Sequence, residues 1–231
     1  MANGDHDLLE KRFSEASLRT IASKAETTIG SIYSRFGGKE ELFAAIVEPA
    51  ANYVIERFIA IQEAFHHVDE EKQPESMETY GNGGMDELLD YIYDYFETFQ
   101  ILLDASYGTK FQNFVERLVE IETEYTYKYM DVIHFPDRNG EMITEEFIHI
   151  MSTALFESMF KVVRHKMTKE HALKYMAMLS RYHNAGWGAI LNDRPPYKQN
   201  SAAEENQKSC INGMVVAAVC YLVGQVVAKN K

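Results

Sequence analysis

Residues 17 to 43 read SLRTIASKAETTIGSIYSRFGGKEELF, and their apolar spacing suits two short helices joined by a tight turn. Ile21, Ala22 and Ala25 fall on the inner face of the first helix, where the small Ala22 lets a second helix cross closely. Ile32 and Phe36 form the inner face of that second helix, and Thr28 stands where it can cap the N-terminus. Ile29, Gly30, Ser31, Tyr33 and Ser34 are then left facing outward, in the positions from which a recognition helix enters a major groove. Lys39 opens a third helix, where a cation beside free backbone N–H groups suits a phosphate. Between Ser17 and Lys39 the charged residues are Arg19, Lys24, Arg35 and Lys39 against Glu26 alone, a local excess of positive charge of the kind duplex binding needs.

Outside this segment the balance reverses. The 231 residues carry 23 Lys+Arg against 35 Asp+Glu, a formal charge of -12, so a surface that is basic all over is excluded and any nucleic-acid contact is local. With 46% hydrophobic and 25% charged residues the chain can bury the core of one domain, or of one domain with a small appendage. Cys210 and Cys220 make neither a disulfide framework nor a pair of CxxC knuckles, and a reducing, cytoplasmic setting is the default. The opening MANGDHDLLEKRF has neither a basic leader nor an apolar run, so it does not read as a secretory signal.

Spacings of three and four dominate, apolar/polar alternation is nearly absent, and the expected fold class is all-α. A helix is expected from residue 39 to 67, with Glu40 and Glu41 in its first turn and a kink at Pro49. A polar loop follows from Asp69 to Gly84. Leu88, Ile92, Tyr95, Phe96, Phe99, Leu102 and Leu103 share one helical face, and Phe111, Phe114, Val115, Leu118, Ile121, Tyr125, Tyr129 and Val132 share another. After a turn at Pro136 to Gly140, Thr144 is the expected cap of a helix to about 165, and Thr168 the cap of a helix ending near Asn192. The stripe on that last helix is Ala172, Met176, Leu179, His183, Trp187 and Ile190.

With Ile21-Ala22, Ala25, Gly30, Ile32-Tyr33, Phe36 and Lys39 through Leu42 in this order and spacing, the segment resembles the TetR-type transcriptional regulators. GTKFQNFVERLVEIE at 108 to 122 and RYHNAGWGAIL at 181 to 191 also resemble the ligand domain of such proteins, which extends the likeness over roughly residues 8 to 191. The resemblance implies an N-terminal helix-turn-helix DNA-binding unit, residues 1–48, followed by a helical-bundle ligand-binding and dimerisation domain, residues 49–192. It implies that Thr20, Thr28, Ile29, Gly30 and Ser31 face the DNA and that Tyr33 and Lys39 contact phosphates. The implied partners are double-stranded DNA with a pseudo-palindromic operator, a second copy of the chain and a small hydrophobic or cationic ligand. The helices at 144 to 165 and 169 to 191 would form a four-helix dimer interface.

Two departures accompany the likeness. Glu26 stands where the family has a turn glycine, which costs on the order of 1 kcal/mol if the backbone there needs φ > 0. Only Leu8, Leu9 and Phe13 precede the motif, so the first helix of the unit reads as truncated by a start assigned too late, with impaired DNA binding as the alternative.

Tyr95, Phe96, Phe99, Phe111, Phe114, Tyr125, Tyr129 and Phe156 are the candidate lining of a ligand pocket, although each taken singly is an ordinary core residue. The interleaved acids Asp90, Asp94, Glu97, Glu122 and Glu124 read first as a solvated face and second as partners for a cationic ligand. No enzyme is expected: GxSxG and HExxH are missing, and GGKE at 37 to 40 lacks the remaining residues of a phosphate loop. The histidines show no metal-ligand spacing, and no metal and no cofactor are proposed. Residues 193–209 read as a polar linker and 210–231 as an apolar C-terminal helix. Within it the uncharged run INGMVVAAVCYLVGQVVA, 211–228, is at the lower edge of bilayer-spanning length, so a membrane anchor and a helix packed on the protein stand level. The runner-up function is a small-molecule-binding or membrane-tethered interaction protein with a decayed DNA-binding unit.

Overall fold

The computed structural model describes residue 13 and residues 16–73, 87–132 and 143–192, and among these there is no strand. The expectations for the first helix, the 74–84 part of the polar loop, the 136–140 turn, the linker and the apolar C-terminal segment lie outside the described residues. No helix among the described residues is long and apolar enough to cross a membrane.

Three helices build the N-terminal unit: α1 (Leu18–Lys24), α2 (Ile29–Phe36) and α3 (Lys39–His66). The remainder consists of helical residues 87–94, here α4, then α5 (Phe96–Asp104), α6 (Phe114–Val132), α7 (Glu145–Met159), the short α8 (Lys161–Arg164) and α9 (Lys169–Asn192). Local capping sets several of these starts. Ser17 accepts from the Arg19 N–H, Thr144 from the Phe147 N–H at 3.3 Å, and Thr168 from the His171 N–H at 3.4 Å.

The long α3 is the spine. Its buried row Phe43, Val47, Ala50, Val54, Phe58, Ile61 and Phe65 repeats at steps of three and four, so one continuous stripe faces first the N-terminal helices and then the bundle. It packs on α2, α5 and α6; α6 packs on α7, α7 on α9, and α5 on α8. The helix runs through Pro49, which is exposed and donates no bond to the Ala45 carbonyl. At its first third, Phe43 packs edge-on against Phe13 at 5.2 Å between ring centres and lies tilted against Phe111 at 6.1 Å. The Phe13 N–H donates to the Ala105 carbonyl at 3.1 Å, so side-chain and main-chain contacts tie the N-terminal unit to the α5–α6 connection.

Two expected helices are each broken in two. Tyr95, with φ -121 and ψ 35, separates α4 from α5 and sits 49% exposed, out of the stripe in which its spacing placed it. Its ring instead lies 4.7 Å from that of Tyr91, which stacks on Tyr53 at 3.9 Å. Phe160 separates α7 from α8, and the Tyr175 hydroxyl donates to the Ser158 carbonyl at 2.9 Å beside the break. The break serves burial, for Phe160, Val162 and Val163 are all fully enclosed. Phe111 belongs to a turn before α6 rather than to the helix itself, and Ile190, expected in the inner stripe of α9, is 40% exposed.

Candidate nucleic-acid interface

The turn between α1 and α2 is a Schellman motif: the Thr27 N–H donates to the Ala22 carbonyl at 2.9 Å and the Glu26 N–H to the Ser23 carbonyl at 3.3 Å. That geometry places Glu26 at φ 51, the left-handed region in which glycine is at ease and a glutamate is strained. The strained position is the one at which the resemblance implies a turn glycine. Ala25, expected on the inner face, is exposed because it lies at the cap where the chain turns away. Ile21 and Ala22 are buried as expected, and Ile32 faces them from α2 with Phe36 half-buried behind it.

Thr28 caps α2: its hydroxyl oxygen accepts from the Ser31 N–H at 3.0 Å and lies 2.8 Å from the Ser31 hydroxyl. With one face of α2 held by Ile32, the opposite face carries Thr28, Ile29, Gly30, Ser31, Tyr33 and Ser34 exposed to solvent. Ile29 is 39% and Tyr33 53% exposed, large apolar area that the unit does not itself cover. Gly37 closes α2 at φ 94, so the chain reverses at once into α3. Glu40 and Glu41 occupy the first turn of α3, where acids suit the helix dipole. Lys39 is half-buried at that end; its ammonium lies 4.4 Å above the Phe13 ring, and burial holds its pKa below the usual lysine value. Thr20 is half-buried on α1, and Arg19 and Arg35 are exposed on either side of the turn.

The aromatic residues singled out for a pocket are distributed through the bundle. Phe99, Phe111, Phe114, Tyr129 and Phe156 are buried, Phe96 and Tyr125 half-buried, and Tyr95 is exposed. Phe156 meets Phe58, Tyr129 meets Phe65, and Tyr125 meets His66. Phe111 and Phe114 line a cleft of about 440 Å³ between α3 and the start of α6; the other six lie away from it.

A buried polar pair in the bundle escaped the sequence reading. Glu122 is 4% exposed and accepts a hydrogen bond of 2.7 Å from the Gln62 carboxamide, itself 5% exposed. Burial pushes the Glu122 carboxyl up to about 8, while the bond from Gln62 pulls the other way, so the group is largely protonated at neutral pH. The signal was present: Glu122 continues the row Leu118, Tyr125, Tyr129, and Gln62 continues the row Phe58, Phe65. Burial also lowers the pKa of His66 and His183. Among the described residues no three or more His, Cys, Asp or Glu side chains are grouped to hold a metal ion.

Comparison with known families adds one finding: residues 8–46 match the model of the bacterial regulatory proteins, tetR family. Neither curated proteins nor solved structures yield a match to the chain. The matched span covers α1, the strained turn, α2 and the first turns of α3, the same stretch whose outward residues are uncovered. The N-terminal unit is therefore similar to the helix-turn-helix that DNA-binding regulators of the tetR family carry.

Proposed function

We propose that the chain acts as a homodimeric repressor that binds a pseudo-palindromic operator and is released from it by a small ligand held in the helical domain. The observation that carries the reading is the capped α2 with its exposed Thr28 to Ser34 face, beside a net positive patch in a chain of charge -12. In this reading Thr28, Ile29, Gly30 and Ser31 enter the major groove with Thr20 beside them, and Tyr33 and Lys39 hold phosphates on either side. The outward N-terminal positions of α2 carry no Asn, Gln or Arg, so bidentate base reading is not its means of selection; methyl contact from Thr28 or Ile29 to thymine is.

A second copy is supported by the outer side of the bundle. Ile150 on α7 is 57% exposed, and Met178 and Tyr182 on α9 are 55% and 75% exposed, opposite the buried Ala172, Met176, His183 and Trp187. Two such faces meeting would form a four-helix interface, and a pseudo-palindromic operator then requires the two α2 helices to stand about 34 Å apart, one turn of duplex. A ligand releases the operator only by binding better to a spacing that does not fit it.

The test is fluorescence anisotropy of the purified chain on the DNA upstream of its own gene, at several salt concentrations, beside a scrambled duplex. Selective binding that weakens with salt, with a paired footprint, is the expected result. Equal affinity for both duplexes, or a single unpaired half-site, would overturn the repressor reading.

A further inference from the structure

The cleft between α3 and the start of α6 has a construction that the repressor reading does not use. α3 and the stretch from residue 110 to 125 run in the same direction, as the pairs Glu48–Lys110, Gln62–Glu122 and His66–Tyr125 show. Each side therefore presents a row at helical spacing toward the other: Glu48, Asn52 and Ile55 from α3, and Asn113, Arg117 and Glu120 from α6 and the residue before it. Phe111 and Phe114, both buried, form an apolar floor with Ile55. The volume, about 440 Å³, lies in the range of small-molecule sites.

The rim carries both signs of charge at both ends. Lys110 pairs with Glu48 at one end, and Arg117 pairs with Glu120 at 2.9 Å toward the other. All four side chains are 41% to 62% exposed, so these are water-screened pairs that exchange partners readily. Between the ends, Asn52 and Asn113 are exposed, and a carboxamide offers one acceptor and two donors, the complement of a peptide group. From Glu48 to Ile55 the helix advances about 10 Å. Three extended residues span about 10 Å as well.

We infer that this cleft binds a short peptide of about three residues with both termini free, its carboxylate taken by Lys110 or Arg117, its ammonium by Glu48 or Glu120, and an apolar side chain on Phe111 and Phe114. A ligand of one charge would leave half of each rim pair repelled, and a wholly apolar one would strip four charged groups of water without replacement. A zwitterion with an amide between its ends satisfies both signs. The site also has a consequence. Glu48 stands on the helix that carries the DNA-binding unit, and Lys110 stands in the α5–α6 connection to which Phe13 is bonded, so exchanging their pair for ligand contacts alters a joint between the two halves. This consequence rests on the repressor reading; the binding does not.

Calorimetric titration of the full chain with the tripeptide Ala-Leu-Ala tests it, beside the same peptide acetylated and amidated. Saturable binding with Kd below about 1 mM is expected, weakened at least about tenfold by blocking the termini and by the pair Lys110→Met with Arg117→Met. Asn52→Leu, on an exposed position, weakens binding without a change in the charge of the rim. No saturable binding, equal binding of the blocked peptide, or full retention by the charge variant with an unchanged circular dichroism spectrum overturns the proposal. The operator complex is measured with and without peptide in parallel: peptide binding with no effect on DNA keeps the cleft and removes ligand release there, whereas an intact operator complex without peptide binding removes the cleft and keeps the regulator.

Discussion

Glu122→Gln should make the protein more stable at neutral pH and leave it nearly unchanged in mild acid. In the unfolded chain the Glu122 carboxyl ionises at its ordinary 4.5; in the fold it holds its proton up to about 8, because it is enclosed between α3 and α6 with the Gln62 carboxamide as its hydrogen-bond donor. Between those two values the unfolded state has released a proton that the folded state retains, so folding becomes less favourable as pH rises. Each pH unit in that window removes about 1.4 kcal/mol, which makes roughly 3 kcal/mol between pH 5 and pH 7, and the loss levels off once the folded group ionises near 8. Glutamine keeps the shape and still accepts from Gln62 while never ionising, so its stability lacks this slope. Urea unfolding followed by circular dichroism at pH 5, 6, 7 and 8 on both proteins reads the difference directly. Subtracting one profile from the other cancels His66 and His183, whose lowered pKa values add stability as pH rises toward 6.5 in both proteins. Equal curves across the range, or a variant destabilised alike at every pH, would show that Glu122 is ionised in the fold and refute the argument from burial.

Glu26→Gly should stabilise the N-terminal unit by about 1 kcal/mol, since relief of the left-handed strain at φ 51 outweighs the added freedom of the unfolded chain. It also removes the single acid of the 17–39 segment and should tighten operator binding; a lower midpoint in urea would contradict the strain assignment. Thr28→Ala deletes the cap on α2, with an expected loss of about 1 kcal/mol and weaker operator binding through a frayed recognition helix. An unchanged affinity would show that the cap does not organise the reading face. Replacing both Met178 and Tyr182 by Glu places charge on the exposed side of α9 and should convert the proposed dimer to monomers in sedimentation without altering the helical spectrum. A parent that sediments as a monomer would refute the proposed dimer, and a variant that stays dimeric like the parent would place the interface elsewhere.

What the sequence determined by itself is what rests on neighbours within one turn of helix. Thr28, Thr144 and Thr168 cap helices in the places their spacing indicated, and the inner residues Ile21, Ala22 and Ile32 are buried, because a cap and a stripe need only residues three and four positions away. The unease of Glu26 was legible only through the family resemblance, which puts a turn glycine at that position; the left-handed φ is what the structure adds. The tertiary structure decided what depends on other helices. Tyr95 leaves its stripe and stacks beside Tyr91, and the α7–α8 break at Phe160 accompanies the burial of Val162 and Val163. Glu122 looked like one acid among several along the chain, yet it is the one enclosed, because α3 brings Gln62 opposite it across a separation of 60 residues. The cleft arises the same way: its two rows are each readable as helix faces, but only the parallel packing of α3 and α6 sets them side by side and gives both signs of charge a common rim. Local spacing specifies which side of a helix is apolar; which partner covers it, and which polar groups are trapped in the process, is a property of the assembled bundle.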